Sequence, residues 1–321
     1  MQIYKSLEGR RAVEERYRAF LKRWPVPNEQ LRIPTREGET FVVASGPESA
    51  PPVLLFHGAG TNSAMWMGDV TTWSAHFRVY AVDLIGEPGL SAPSRPLLNS
   101  ETHALWLDDL LQGLSLTRAS LLGASLGGWL ALDYAIRRPE RVVALALLCP
   151  AGVGQRRASF LIKVLPLQLL GEWGRGKAYQ IALGPLPASP SPGYKPFAEF
   201  AALIQRNFRP RRTRLPIFSD EALRRLNMPV LAIVGGQDAI LDSYGTKRRL
   251  EKAALGASVC LLPECGHLLP GQNSRILDFL TEALRRQQQE VLADLDHFSL
   301  ISETTPSASS TLTVRPRRIS S

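Results

Sequence analysis

Short apolar runs punctuate the chain: "PPVLLFHGAG", "FRVYAVDLIG", "ASLLGAS", "RVVALALLCPAG", "PVLAIVGGQD" and "SVCLLPECGH". Each closes on glycine, aspartate, cysteine, serine or histidine. Between them the hydrophobic period changes to that of a helix, notably in "HALWLDDLLQGL" and "GGWLALDYAIRR", and again after the last run in "SRILDFLTEALRRQQQEVL". Uninterrupted apolar strands alternating with amphipathic helices predict an α/β fold: a doubly wound, mostly parallel sheet covered on both faces. "TREGETFVVASG" reads as a hairpin-like entry into that sheet. In such sheets ligands sit beyond the carboxyl ends of the strands, where the polar residues of these runs collect.

The same pattern divides the chain. Residues 1–30 read as a basic N-terminal helix, with the helical pattern from Gly9 to Trp24 and a break at "PVPNEQ". Residues 31–150 and 229–290 form the core. Between them, over 151–228, the strand and helix alternation stops and helix-like pieces surround a Pro/Ser break, which predicts an inserted helical cap. Its "FLIKVLPLQLL", Trp173 and Phe208 either line an acyl pocket or glue cap to core. Residues 291–321 have too few large apolar side chains to order themselves and read as a disordered, basic, Ser/Thr-rich tail.

Composition adds limits. At 45% hydrophobic and 21% charged, 321 residues suit one large core. No apolar run approaches the roughly 18 residues of a membrane helix, so no transmembrane segment is expected. The charged start lacks the apolar stretch of a secretory signal, which predicts a cytoplasmic protein. Cys149, Cys260 and Cys265 have neither C-x-x-C spacing nor a histidine cluster, so free thiols are expected and no metal is implied. The net charge of +9 concentrates in Arg156 and Arg157, in "RNFRPRRTR" and in the tail. Without an aromatic platform these charges read as a solvated face, with no nucleic-acid partner expected and at most weak contact between the basic cap and tail and an anionic surface.

The chemistry gathers around "LLGASLGGWL". Ser125 has Gly123 and Gly127 two places to either side, after a strand and before a helix, the context a G-x-S-x-G nucleophile turn requires. A Cβ at either glycine would clash across so tight a turn. A serine hydroxyl needs a base, and the base needs a group to orient it. His267, just beyond the last strand, is the candidate base; His76 and His103 read as surface positions, and His297 lies at the tail's edge. Asp238 ends the preceding strand and is favoured over Asp242 as the acid. "LLCPAG", the other strand end able to supply one, has no carboxylate.

The order Ser125, Asp238, His267 resembles the α/β-hydrolase superfamily over roughly Phe41 to Arg286. The resemblance implies a serine hydrolase that cleaves a small-molecule acyl substrate, a carboxylic ester, through an acyl-enzyme and without cofactor. It also implies that Leu126 supplies one oxyanion-hole N–H. The second comes from the loop His57-Gly58-Ala59-Gly60, from Ala59 or, as the alternative, Gly60. "DLIGEPGLSAP" is similar to the family's D-x-x-G-x-G-x-S segment, with Asp83, Gly86, Gly89 and Ser91 matching if Glu87-Pro88 carries one extra residue. "HGAGTNSAMW" and "WPVP" look most like the small bacterial carboxylesterase branch. The motifs are shared by carbon–carbon bond hydrolases, perhydrolases and acyltransferases. A non-catalytic binding protein on the same fold would carry a broken triad or a blocked oxyanion loop.

Overall fold

The computed structural model describes residues 3–184, 194–211 and 213–303. Eight strands form one sheet: β1 (Asn28–Thr35), β2 (Gly38–Ser45), β3 (Pro52–Phe56), β4 (Arg78–Val82), β5 (Ala119–Ala124), β6 (Val142–Leu148), β7 (Val230–Gly235) and β8 (Ala257–Leu262). Their order is β1-β2-β4-β3-β5-β6-β7-β8. The first pairings, β1 with β2 and β2 with β4, are antiparallel, and every later one is parallel. The six apolar runs are the six strands β3 to β8. Strands β4, β5 and β7 are buried at every position, which is why they carry no alternation.

The hairpin starts earlier than expected. Strand β1 begins at Asn28, inside the segment read as a break, and runs along the sheet edge with most of its residues exposed or half-buried. A polar edge strand is defined by its ladder to β2, and its side chains give no hydrophobic signal.

The helices are α1 (Leu7–Leu21), α2 (Val70–Ser74), α3 (Thr102–Gly113), α4 (Leu126–Arg137), α5 (Ala158–Val164), α6 (Gly171–Leu183), α7 (Tyr194–Asn207), α8 (Asp220–Leu223), α9 (Ser243–Ala253) and α10 (Asn273–Glu303). Helix α4 packs on β3, β5 and β6, α3 on β1 and α4, and α9 on β7 and β8. Trp106, Trp129, Tyr134 and Leu110 are fully enclosed among them. Helices α5 to α8 fill the chain between β6 and β7.

Helix α1 is more than a basic appendage. Its apolar stripe, Val13, Tyr17 and Leu21, is buried, and Tyr17 and Phe20 stack on Phe200 of α7. The residues before it pair with the chain after α7: Lys5 N–H donates to the Asn207 carbonyl and Arg209 N–H to that of Ile3. The N-terminal segment therefore fastens α7 and residues 207–209 from behind. The chain divides into a compact unit, Met1–Ala283, and a second, Leu284–Ser321. In the second, α10 continues to Glu303, into the segment expected to be a tail, because its apolar period persists beyond residue 290. The rest of the expected tail lies outside the described residues.

Candidate active site

The turn between β5 and α4 fixes Ser125 at φ 52° and ψ −106°, a conformation that side-chain-bearing residues rarely adopt. Its N–H donates to the Leu148 carbonyl at 2.9 Å, and its own carbonyl accepts from Trp129 and Ala151. The backbone is thus held from three sides while the side chain makes no capping bond to α4. A Cβ on Gly127 would overlap the carbonyl oxygen of Phe56 at the end of β3, and one on Gly123 the carbonyl of Gly127. A Cβ at Gly58 would stand 3.8 Å from that of Ser125, so the 57–60 loop lies directly beside the serine.

That loop is braced by His57, which is fully buried. Its Nε2 accepts the Leu84 N–H at 3.0 Å, which leaves Nδ1 as the protonated nitrogen, 2.8 Å from the Gly58 carbonyl. Burial holds its pKa below the usual histidine value, in keeping with a neutral ring. Gly60 N–H is committed to Glu87 Oε2 at 2.7 Å. Ala59 N–H makes no hydrogen bond among the described residues, and its residue is exposed. Leu126 opens α4, where an N–H has no partner within the helix. Of the two candidate donors in the 57–60 loop, Gly60 N–H is thus occupied by Glu87, while Ala59 N–H has no hydrogen bond among the described residues.

The turns after β7 and β8 are pressed together. Gln237 N–H donates to the Cys265 carbonyl and Gly236 N–H to that of Leu262. A Cβ on Gly235 would overlap the Gly266 carbonyl. Across this junction Asp238 Oδ2 meets His267 Nδ1 at 2.7 Å, while Oδ1 accepts from Ile240 and Leu241. Burial alone would raise the Asp238 pKa; the bond to His267, its charge and the two backbone donors outweigh it and hold the carboxyl below its ordinary value. Asp242, the rival acid, is occupied elsewhere: it caps α9 by accepting from Gly245.

Cys149 lies at the end of β6, its sulfur within 4.8 Å of the Asp238 and His267 ligand atoms. The thiol is pushed well above its usual range by burial and by the neighbouring Asp238 charge, which keeps it protonated and a poor metal ligand. All three cysteines are free.

Three features escape a reading of the sequence alone. His103 is buried edge-on against Trp129 and held down to about 4 by that burial and by nearby arginines, so it is not a surface residue. Asp83 is enclosed by Tyr17, Ser63 and Leu90, all donating to it, which ties α1 to the segments that follow β3 and β4. Trp173 points outward at 64% exposure with Ile162, Leu165 and Leu169, whereas Phe208 lines a cavity beside Ala59 and Gly60.

Glu87 is 2% exposed, and burial pushes its carboxyl up to about 7 despite the Gly60 N–H and the charges of Arg95 and Arg211. The folded chain therefore binds this proton more tightly than the unfolded chain, and the contribution to stability fades as pH rises from about 4.5 through 7. Glu87→Gln should gain roughly 2 to 3 kcal/mol over the parent on going from about pH 4 to about pH 8, read by urea denaturation at both values.

The sequence profile described as the alpha/beta hydrolase family matches residues 53–278. The chain is 30% identical to the carboxylesterase YbfK of Bacillus subtilis (strain 168), over 84% of this chain and 93% of that protein. The crystal structure of that esterase, CesB (YbfK), superposes with a TM-score of 0.74 at 29% identity, covering 85% of this chain and 99% of the other. The naproxen esterase (carboxylesterase NP) of Bacillus subtilis superposes with a TM-score of 0.71 at 29% identity, over 83% and 96% of the two chains.

Proposed function

Because this chain belongs to the α/β-hydrolase family, we propose that it is a carboxylesterase in which Ser125, His267 and Asp238 form the catalytic triad. The observation that carries this is the backbone of Ser125, forced to a positive φ beside the 57–60 loop, at the end of the sheet where Asp238 holds His267. Such strain, roughly 1 to 3 kcal/mol, persists where the surroundings over-determine it, as at nucleophile turns.

With Nδ1 bonded to Asp238, His267 offers Nε2 to the serine proton. Ser125 Oγ adds to the ester carbonyl as Nε2 takes that proton, and the Ala59 and Leu126 N–H groups receive the oxyanion. Collapse expels the alcohol, which leaves with the proton from His267, and an acyl-serine remains. Water then adds as His267 accepts its proton; collapse returns the proton to Ser125 and releases the acid. Each oxyanion donor is worth about 3 kcal/mol in the transition state. The depressed Asp238 keeps its negative charge opposite the imidazolium throughout. Within the proposed cap over 151–228, α6 through Arg175 and Tyr179 and α7 through Ile204 and Gln205 border the cavity beside Ala59 and Gly60, which supports a part for them in shaping the acyl pocket.

The test is pre-steady-state hydrolysis of p-nitrophenyl esters of short and medium acids. A burst close to one nitrophenolate per chain is expected, followed by a slower steady rate set by hydrolysis of each acyl-enzyme. Folded protein that turns over no ester in the series would overturn the proposal.

A further inference from the structure

A cavity of about 1040 Å³ opens against the oxyanion loop: Ala59 and Gly60 form one of its walls. The others come from Lys5 before α1, from the loop after β4, from α6, and from the end of α7 and the chain that follows it. Lys5, Arg95, Arg175, Arg209 and Arg211 all line it, and no aspartate or glutamate among the described residues does.

These cations spend their hydrogen bonds mainly on neutral partners. Arg95 donates to the carbonyls of Gly86 and Arg209, Arg211 to that of Pro96, Arg209 to that of Tyr4, and Lys5 to those of Gln205 and Arg206. Arg211 Nε is buried with no partner. Among the described residues the one close carboxylate on these five cations is Glu172, in a loose pair with the partly exposed Arg175 at 3.7 Å. The nearest carboxyl behind the wall is Glu87, itself held by Gly60 N–H. Burial lowers the pKa of both Arg95 and Arg211, the mark of cations removed from water without full compensation.

Such a charge arrangement is costly unless something negative occupies it, since desolvated charge is stabilised chiefly by a counter-charge with matched hydrogen bonds. Guanidinium groups suit a carboxylate or a phosphate, two of whose oxygens can accept a pair of parallel N–H donors. The walls are also fixed in advance. Arg95 lies over the Phe208 ring at 5.2 Å, and the N-terminal segment pins residues 207–209 from behind.

We propose that this cavity is the subsite for the remote end of the substrate, and that the preferred ester carries there an oxyanion group, a carboxylate or a phosphate. Arg95 and Arg211 bind that group and Arg175 guides it in from the rim, while Phe208 and Leu98 flank the apolar stem. This deepens the esterase function proposed above and rests on it. Arg209 and Arg211 of the basic stretch are accordingly part of a wall of the substrate site and more than a solvated face.

The experiment compares p-nitrophenyl hemiesters of the dicarboxylic acids from succinate to suberate with neutral p-nitrophenyl esters of matching length. At least one hemiester should exceed its neutral counterpart in kcat/KM by about tenfold or more, as expected for charge-assisted bonds. Arg211→Met should erase that preference through KM for the hemiester, Arg211→Lys should retain part of it, and Arg175→Ala, at a rim position, should reduce it in a variant whose folding is not in question. Equal or better turnover of the neutral ester at every length would overturn the proposal, as would a preference that all three variants leave in place. Thermal shifts with glutarate and with inorganic phosphate give a readout independent of hydrolysis and separate the two oxyanions. If no ester of either charge is hydrolysed, the esterase function fails; a rise in Tm with either anion, lost in Arg211→Met, would still support the subsite, and no rise would overturn it.

Discussion

Ser125→Ala lowers kcat/KM for every ester the protein hydrolyses by a factor on the order of 10⁴ to 10⁶, with the melting temperature essentially unchanged. The two halves of this expectation have separate causes. The nucleophile and base act as a unit, so removing one member removes most of what the set does, and only the oxyanion donors and substrate binding remain. The fold is indifferent because the Ser125 side chain makes no cap bond, and its backbone contacts to Leu148, Trp129 and Ala151 survive in alanine. Ser125→Gly should be equally inactive yet more stable by about 1 kcal/mol, since glycine relieves the positive φ. A serine kept at a cost to stability is what a functional turn predicts and a packing turn does not. Steady-state kinetics beside thermal melts of the three proteins read both parts.

Gly127→Ala is expected to destabilise the fold by roughly 3 kcal/mol or more, enough to compromise a domain of ordinary stability. The added methyl would overlap the Phe56 and His57 carbonyl oxygens at the end of β3, a central strand flanked by β4 and β5. Backbone on both sides leaves nothing flexible to move, so α4 would have to lift from the sheet and carry Leu126 with it. Gly176 supplies the internal control. It lies within α6 with nothing near its Cβ position, so Gly176→Ala should stabilise by roughly 0.5 to 1 kcal/mol through helix propensity. Urea titrations of the two variants should therefore move in opposite directions.

The contrast marks what could be read from the sequence. Gly123 and Gly127 were legible because a G-x-S-x-G turn between a buried strand and a helix leaves no volume for a methyl. Strands β3 to β8 were legible for a related reason: a strand covered on both faces must be apolar throughout. His267 and Asp238 followed from their places at successive strand ends, and the 2.7 Å contact between them is the geometry that placement requires. The sequence already favours Asp238 over Asp242, because it lies closer to the strand end; the structure adds that Asp238 meets His267 while Asp242 caps α9.

Other features depend on contacts between segments far apart in the chain. His103 carries no local mark of burial; Trp129, on another helix, encloses it. Strand β1 is polar because it is an edge, and is recognised only by its partner β2. The cationic cavity joins Lys5 to Arg95, Arg175 and Arg211, positions no local pattern connects, so the arginines after residue 205 look from sequence like a solvated run. The outward exposure of Trp173, Ile162, Leu165 and Leu169 was not legible, because helical spacing gives a face without saying which way the face turns.

The most direct test of the central claim is to treat the folded protein with a fluorophosphonate and locate the adduct by mass spectrometry. One adduct per chain is expected, on the hydroxyl of Ser125 and absent from Ser125→Ala. An adduct on another residue, or none on protein shown by its melting transition to be folded, would contradict that claim.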